Sequence, residues 1–381
     1  MSIETKVRTI NSDSKSLYKT QQIRFSSNIS FTTPSKAIDL SNLKIDQQLN
    51  PNSRKLNEVF KRFNASQIHE IETENEAADK LETWFNRQKK VTADNPTITI
   101  AEFDEERLPT EEEIDFLVGT IYPHSDISTI PIISNINKKK KSELEFDKYK
   151  KYVQDTIKSI EDLNNKPIMG TVPNLPGKPT KELIKFYLDK GINSFLIDLD
   201  GGNPISKSMR LYRILKEIKK NEMHDKCYFF AHNIGNRVNK AAKTVPAKDI
   251  LGFGLGLNSL GNKHKKFVPN KQFIEFMKLN PKRKFRLFNK EDYGYWKYTS
   301  LEEIKDNYPS DSSIPYNTFK DANTPNKMQK LFNEEQMSLE TNTITSVVNE
   351  NPEKSIPYLK TKKNVDATDL KMVEDSIKKL A

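Results

Sequence analysis

Cysteine is nearly absent: Cys227 is the only one in 381 residues. That excludes an intrachain disulfide and any zinc site built on several cysteines. It opens the run Cys227-Tyr228-Phe229-Phe230-Ala231, where a small buried hydrophobe suits the surroundings better than a catalytic thiol. Long apolar runs are missing as well. No stretch reaches the roughly 18 apolar residues of a membrane span, so none is expected. The opening Met1-Ser2-Ile3-Glu4-Thr5-Lys6 lacks the apolar segment of a secretory signal, which points to a cytoplasmic protein. Hydrophobic residues make up 35% of the chain and charged residues 30%, with a mean hydropathy of -0.74. The surface is therefore extensive and polar, although 381 residues suffice for a substantial core.

What is present is a repeating alternation in the middle of the chain. Short β-branched or apolar runs at Thr97–Phe103, Ile127–Ser134, Pro167–Val172, Ser194–Leu199, Cys227–Ala231, Ile250–Leu257 and Lys284–Phe288 are separated by amphipathic or polar stretches. Alternation of this kind predicts a parallel sheet with crossover helices. Repetition at this spacing fits a closed (β/α)8 barrel of the TIM type, in which polar residues at the C-terminal ends of strands carry the chemistry. Residues 21–300 are assigned to the barrel. Residues 1–20 read as a flexible arm, and 22–31, ending at Thr32-Thr33-Pro34, as a strand or hairpin. Residues 53–63 and 66–90 read as helices. Thr110 is a predicted N-cap ahead of Glu111-Glu112-Glu113. Further on, 301–325 reads as a linker and 326–381 as a helical appendage.

Four strand ends carry candidate chemistry. Alternation along the strand puts Glu102 and Asp104 on one side, where they could form an acid/base pair at the barrel mouth; the same acids would equally serve a solvated loop that caps the next helix. Asp198 and Asp200, followed by Gly201-Gly202, end the most apolar strand, where a carboxylate can act as nucleophile, base or cation ligand; Asp200 would equally cap the next helix. His232 and Asn233 follow Phe229-Phe230-Ala231 and suit hydrogen bonding to a substrate. The fourth run alternates Gly252, Gly254 and Gly256 with large apolar residues and leads to Asn258. A strand with one bare side admits a planar ligand or tight packing. A metal site built from His232, Asp198 and Asp104 has no spacing signature, and no cofactor is implied.

The net charge of +10 favours polyanionic partners. It is concentrated between Gly261 and Lys290, with ten Lys or Arg residues against Glu275 alone. Lys263, Lys265, Lys266, Lys282, Arg283, Lys284 and Arg286 form a candidate phosphate-contacting patch, with Tyr293, Tyr295 and Trp296 adding stacking surface. Glu102 to Asp126 holds nine acids and one base, so an acidic mouth would stand beside a basic rim.

The barrel order, the Asp198-ended strand, the glycine-rich run Gly252–Gly256 and Thr32-Thr33-Pro34 together resemble the tRNA-guanine transglycosylase superfamily over about residues 22–296. The resemblance implies an aspartate nucleophile at Asp198, a carboxylate partner at Asp104, and Gly254 and Gly256 against the base. That family's zinc site takes three cysteines and a histidine, so the resemblance is to a divergent member lacking it. The expected activity is exchange or modification of a base in a nucleic acid, tRNA rather than DNA, with a homodimer left open. The alternatives are a metal-assisted barrel hydrolase or lyase acting on a small anionic substrate, and a non-catalytic nucleic-acid-binding barrel.

Overall fold

The computed structural model describes residues 4–43, 49–92, 95–134, 146–163, 166–235, 241–265, 271, 275, 284–320 and 325–380. Its centre is a parallel sheet that returns to its own start. Ser35–Lys36 pairs with Ser259–Leu260 on one side, while Ile38–Asp39, one residue further on, pairs with Asn57–Phe63 on the other. Ala37 marks the switch: its N–H donates to Leu260 O at 2.9 Å, and the next N–H, from Ile38, donates to Leu56 O at 3.0 Å. The path continues through Thr97–Phe103, Ile127–Thr129, Ile168–Val172, Ser194–Asp198 and Tyr228–His232, all parallel, with Ile132–Ile133 also on Thr97–Phe103. Ser35–Lys36 runs into Ile38–Asp39, and Ile127–Thr129 into Ile132–Ile133, so the ten described strands make eight staves. The protein is thus an α/β barrel of the TIM type with a C-terminal helical segment.

Period-two alternation sorts the staves into an inner and an outer face. Ile98, Ile100, Ile127, Met169, Leu196, Tyr228 and Phe230 fill the interior. The larger outer cluster lies under the helices, including Leu117 and Val118 of Glu111–Ile121, Ile157 of Phe146–Leu163, Leu183 of Gly177–Asp189 and Ile214 of Ser208–Lys220. Thr110 caps the first of these as its sequence predicts: its side chain accepts from Glu113 N, and Glu113 returns a bond from Thr110 N.

The N-terminal end of the barrel is closed by apolar side chains. The antiparallel strands Lys19–Arg24 and Ser30–Thr33 lie there, and the Phe25 and Phe31 rings meet Tyr228 edge-on at 6.0 and 5.8 Å. Residues 1–20, read as an arm, contain the strand Lys6–Ser12, which pairs with Lys19–Arg24. The opposite end of the barrel is polar. That asymmetry locates the site.

Three readings of the sequence are corrected. Residues 53–63 are not a helix but a 3-10 turn, Pro51–Ser53, followed by the stave Asn57–Phe63. Leu56, Val59, Phe60 and Phe63 satisfy a helical spacing, yet the segment is covered on both sides. Phe60 faces inward, while Val59 packs outward with Phe85. Phe285–Asn289 is a strand, but it pairs antiparallel with Gly294–Tyr298 outside the barrel. The last stave is the two-residue Ser259–Leu260, too short to leave a pattern. Finally, Ile250–Leu257 is not a strand: Ile250–Leu255 is a 3-10 helix ended by Gly256 at φ +92°.

In that helix the bare sides of the glycines are filled by the protein itself. A Cβ on Gly254 would come within 2.6 Å of Val373 Cγ1 and 2.7 Å of the Tyr18 ring. Gly254→Ala is therefore expected to cost ~1–3 kcal/mol through overpacking. A denaturant melt checks this, and an unchanged midpoint would show that the space is open after all.

The C-terminal helix Pro325–Glu350 lies against the closing stave rather than apart from the barrel. Its Glu334 carboxylate accepts from Asp39 N at 2.8 Å, and Lys330 pairs with the Asp39 carboxylate. Residues 301–325, read as a linker, include the helix Leu301–Asp306 and the 3-10 turn Tyr316–Lys320. Among the described residues only 3-10 turns follow the first stave, and the long helix supplies cover that a crossover helix would give.

Candidate functional site

At the polar end, three staves bring ionisable side chains together. Asn57–Phe63 turns Glu58, Phe60 and Arg62 inward, at successive levels set by its period of two. Tyr228–His232 ends on His232, in register with Asp198 of the neighbouring stave. His264 follows Ser259–Leu260 by four residues. The Glu58 Oε1 atom lies 3.3 Å from His232 Nδ1 and 3.0 Å from His264 Nε2. Its Oε2 is occupied separately, accepting from Asn262 N and from Asn262 Nδ2, both at 2.8 Å. Glu58 and His232 are fully buried. Phe60 stacks on His264 with centroids 4.1 Å apart, and more loosely on His232 at 5.7 Å.

Electrostatics follow from this crowding. Burial pushes the Glu58 carboxyl up, but the two histidines outweigh it and hold the group well below the usual carboxylate range. Burial lowers His264, although Glu58 and Asp39 pull the other way. His232 Nε2 has no hydrogen-bond partner among the described residues. An unmade bond on a buried polar atom costs ~1–3 kcal/mol, so its persistence needs a reason.

Above this cluster sits Arg62. Its Nε and Nη2 donate to Glu102 Oε2 at 2.9 and 2.6 Å, and Nη2 also donates to His264 O at 3.0 Å. Ser134 Oγ donates to the other Glu102 oxygen. Asp104 Oδ2 lies 4.0 Å from Arg62 Nε. On the far side, Asp198 Oδ1 accepts from Asp200 N at 2.8 Å and from Asn233 Nδ2 at 3.1 Å. Asn233 in turn accepts from His264 N at 3.0 Å. The predicted Glu102–Asp104 and Asp198–Asp200 pairs are therefore joined into one network through Arg62, His264 and Asn233.

The backbone here is bent to fit. Asp200, Gly201 and Asn233 have φ of +51°, +74° and +53°, conformations that glycine adopts freely and that Asp and Asn tolerate best among other residues. Gly201 N donates to Asn233 O at 2.8 Å, tying the two loops together. Lys265 reaches back to Asp200 Oδ1 at 2.7 Å.

Other predicted residues lie elsewhere. Gly254 and Gly256 are packed against the protein's own side chains, which corrects their assignment to a base pocket. Asn258 is corrected too. Its side chain accepts from Phe229 N at 2.7 Å and donates to Gln21 at 2.6 Å, which anchors the N-terminal hairpin to the barrel floor. Of the basic patch, Lys263 and Lys265 are exposed at the mouth, and Lys284 is exposed at the edge of the outer antiparallel sheet. Arg286 belongs to that sheet, donating to Ala242 O at 2.8 Å. Lys266, Lys282 and Arg283 lie outside the described residues.

Sequence reasoning passed over Glu58, Arg62 and His264. Glu58 and Arg62 fell in the segment read as a helix, and His264 was hidden in a basic run. The available signal was the period-two set Glu58, Phe60 and Arg62, two charged residues flanking an aromatic on one face of the strand.

No model of a known protein family matches this chain, and no curated protein sequence matches it. What stands is the class defined by fold: a TIM-type α/β barrel whose ionisable side chains gather at the C-terminal ends of the strands, with no helix among the described residues long and apolar enough to cross a membrane.

Proposed function

We propose that the protein is an enzyme, a hydrolase or lyase that acts on a small anionic substrate at the C-terminal mouth of the barrel. The observation that carries this reading is the convergence of Glu58, His232 and His264 at the polar end, opposite the apolar plug. Barrels of this type perform their chemistry at that end. Arg62, held by Glu102, lies over the cluster, and the exposed Lys263 and the Asp200-paired Lys265 stand at the same mouth, cations that can attract a carboxylate or phosphate group. Glu102, Asp104 and Asp198 supply carboxylates that can take or give a proton.

The test is turnover of a panel of small phosphate and carboxylate esters. Arg62→Gln is expected to raise KM at least tenfold on the substrate that turns over, because a charge-assisted contact is worth about 1.5–3 kcal/mol. An unchanged KM in the folded variant removes Arg62 from substrate binding.

Base exchange on a nucleic acid is the second reading. It is supported by Asp198 at a strand end, Asp104 just beyond another, and the exposed Lys263 and Lys265 at the rim. It predicts incorporation of a labelled base into bulk tRNA that Asp198→Asn abolishes. No incorporation by the wild-type protein removes it.

A further inference from the structure

We propose that Glu58, His232 and His264 form a binding site for a first-row divalent cation of the zinc type. This deepens the reading of the mouth as an active site and rests on it for its catalytic meaning, though not for the binding itself. One donor atom from each of the three lies within 4.8 Å of the others. The two edges from Glu58 Oε1 to the imidazole nitrogens, 3.0 and 3.3 Å, match the ~3.3 Å ligand-to-ligand spacing expected for tetrahedral bonds of about 2.0–2.1 Å. A donor set of two imidazoles and one carboxylate suits zinc or a neighbouring transition ion better than magnesium or calcium, which prefer oxygen.

The surroundings are those of a supported metal ligand set. Glu58 presents one oxygen to both histidines while Asn262 holds the other through two bonds of 2.8 Å, so the carboxylate cannot rotate away. His264 turns its second nitrogen, Nδ1, toward Asp39 Oδ2 at 4.0 Å, and Lys330 fixes that carboxylate in turn. At that distance the carboxylate acts on the ring through its charge, which favours a cation on the ligating nitrogen. Phe60, stacked at 4.1 Å on His264, fixes the plane of the ring. Three donors also leave a fourth position of a tetrahedral site for water or a substrate oxygen, the arrangement by which a catalytic ion activates its ligand.

The experiment uses the full chain, stripped with a chelator and dialysed, and titrates Zn²⁺ against a chromophoric competitor, with Co²⁺ absorption as a second readout. One equivalent of tight binding is expected. Glu58→Gln and His264→Gln should each weaken it at least 100-fold. Asn262→Ala, which leaves all three ligands in place, should weaken it about 10- to 100-fold, and keeps the test open if the ligand variants fail to fold. Circular dichroism on each variant separates lost binding from lost structure. Wild-type protein that takes up no stoichiometric Zn²⁺ or Co²⁺, or uptake that Asn262→Ala and His264→Gln leave unchanged, overturns the proposal. Esterase turnover that persists in chelator would leave the mouth as the active site while removing the cation from its chemistry. Tight binding with no turnover on any substrate would do the reverse.

Discussion

Asp39→Ala is expected to destabilise the fold by ~3–5 kcal/mol, the cost of leaving a buried charge without its partner. Asp39 is fully buried at the point where the sheet closes on itself. Burial alone would raise its carboxyl, but Lys330 and His264 outweigh that and hold it below the ordinary value. The carboxylate does three things at once. It pairs with Lys330, faces His264 Nδ1 at 4.0 Å, and accepts from Ser41 N at 3.0 Å to start a 3-10 turn. Alanine removes all three and leaves the Lys330 ammonium, whose side chain is only 28% exposed, facing Glu334 Oε1 at 3.9 Å, a carboxyl that burial keeps protonated. Urea unfolding measures the loss. The double variant Asp39→Ala, Lys330→Met should recover more than half of it, because a pair replaced by apolar groups is often close to neutral. A single-variant cost below about 1 kcal/mol would mean the pair does not lock the seam.

The second large effect is a dependence of stability on pH. Burial raises the Glu334 carboxyl to about 8, against the pull of Lys330 and Lys36. Its Oε1 has no hydrogen-bond partner among the described residues, and it faces a cavity of about 380 Å³ beside the seam. In the folded protein the group keeps its proton up to about pH 8, whereas in the unfolded chain it loses it near the ordinary carboxyl value. The folded state therefore binds more protons in that interval, so stability falls as pH rises, with a slope approaching about 1.4 kcal/mol per pH unit. His224, lowered to about 4 chiefly by burial, has the opposite sign but acts below its ordinary value of 6.5. Lys19 and Lys55, each lowered to about 8 by burial, act above that value. The interval from about pH 6.5 to 8 lies between these effects. Thermal melts of the wild type should fall across it, by ~2 kcal/mol in stability, and Glu334→Gln should flatten the trend. A slope unchanged in the variant would place the proton elsewhere.

Much of the barrel was legible in the sequence because its staves are buried on both faces. Thr97–Phe103, Ile168–Val172, Ser194–Asp198 and Tyr228–His232 are rich in β-branched and apolar residues with their polar members mostly at the ends, and inner and outer cover favour that pattern. The first and last staves were not legible. Ser35–Asp39 and Ser259–Leu260 are short and hold Ser, Lys and Asp that are buried only because the long C-terminal helix and the rest of the barrel cover them. The carboxylates at Glu102, Asp104 and Asp198 were found from strand-end position, and they do lie at one end of the barrel. Glu58 was missed for a physical reason. A buried carboxylate inside a strand breaks the apolar pattern that identifies strands, so the residue at the heart of the cluster also disguised its own element. The glycine run misled in the opposite direction, because a bare side looks the same in sequence whether a ligand or Tyr18 and Val373 fill it.

The most direct measurement is the turnover of His232→Gln relative to wild type on whichever anionic ester the wild type accepts. His232 is the residue on which the sequence reading and the Glu58 cluster coincide, and its buried Nε2 has no hydrogen-bond partner among the described residues. A loss of at least 100-fold in kcat, with the melting temperature held within a few degrees, is the result this account predicts. Wild-type turnover in a folded His232→Gln protein would contradict it, and would move the chemistry away from the cluster at the mouth.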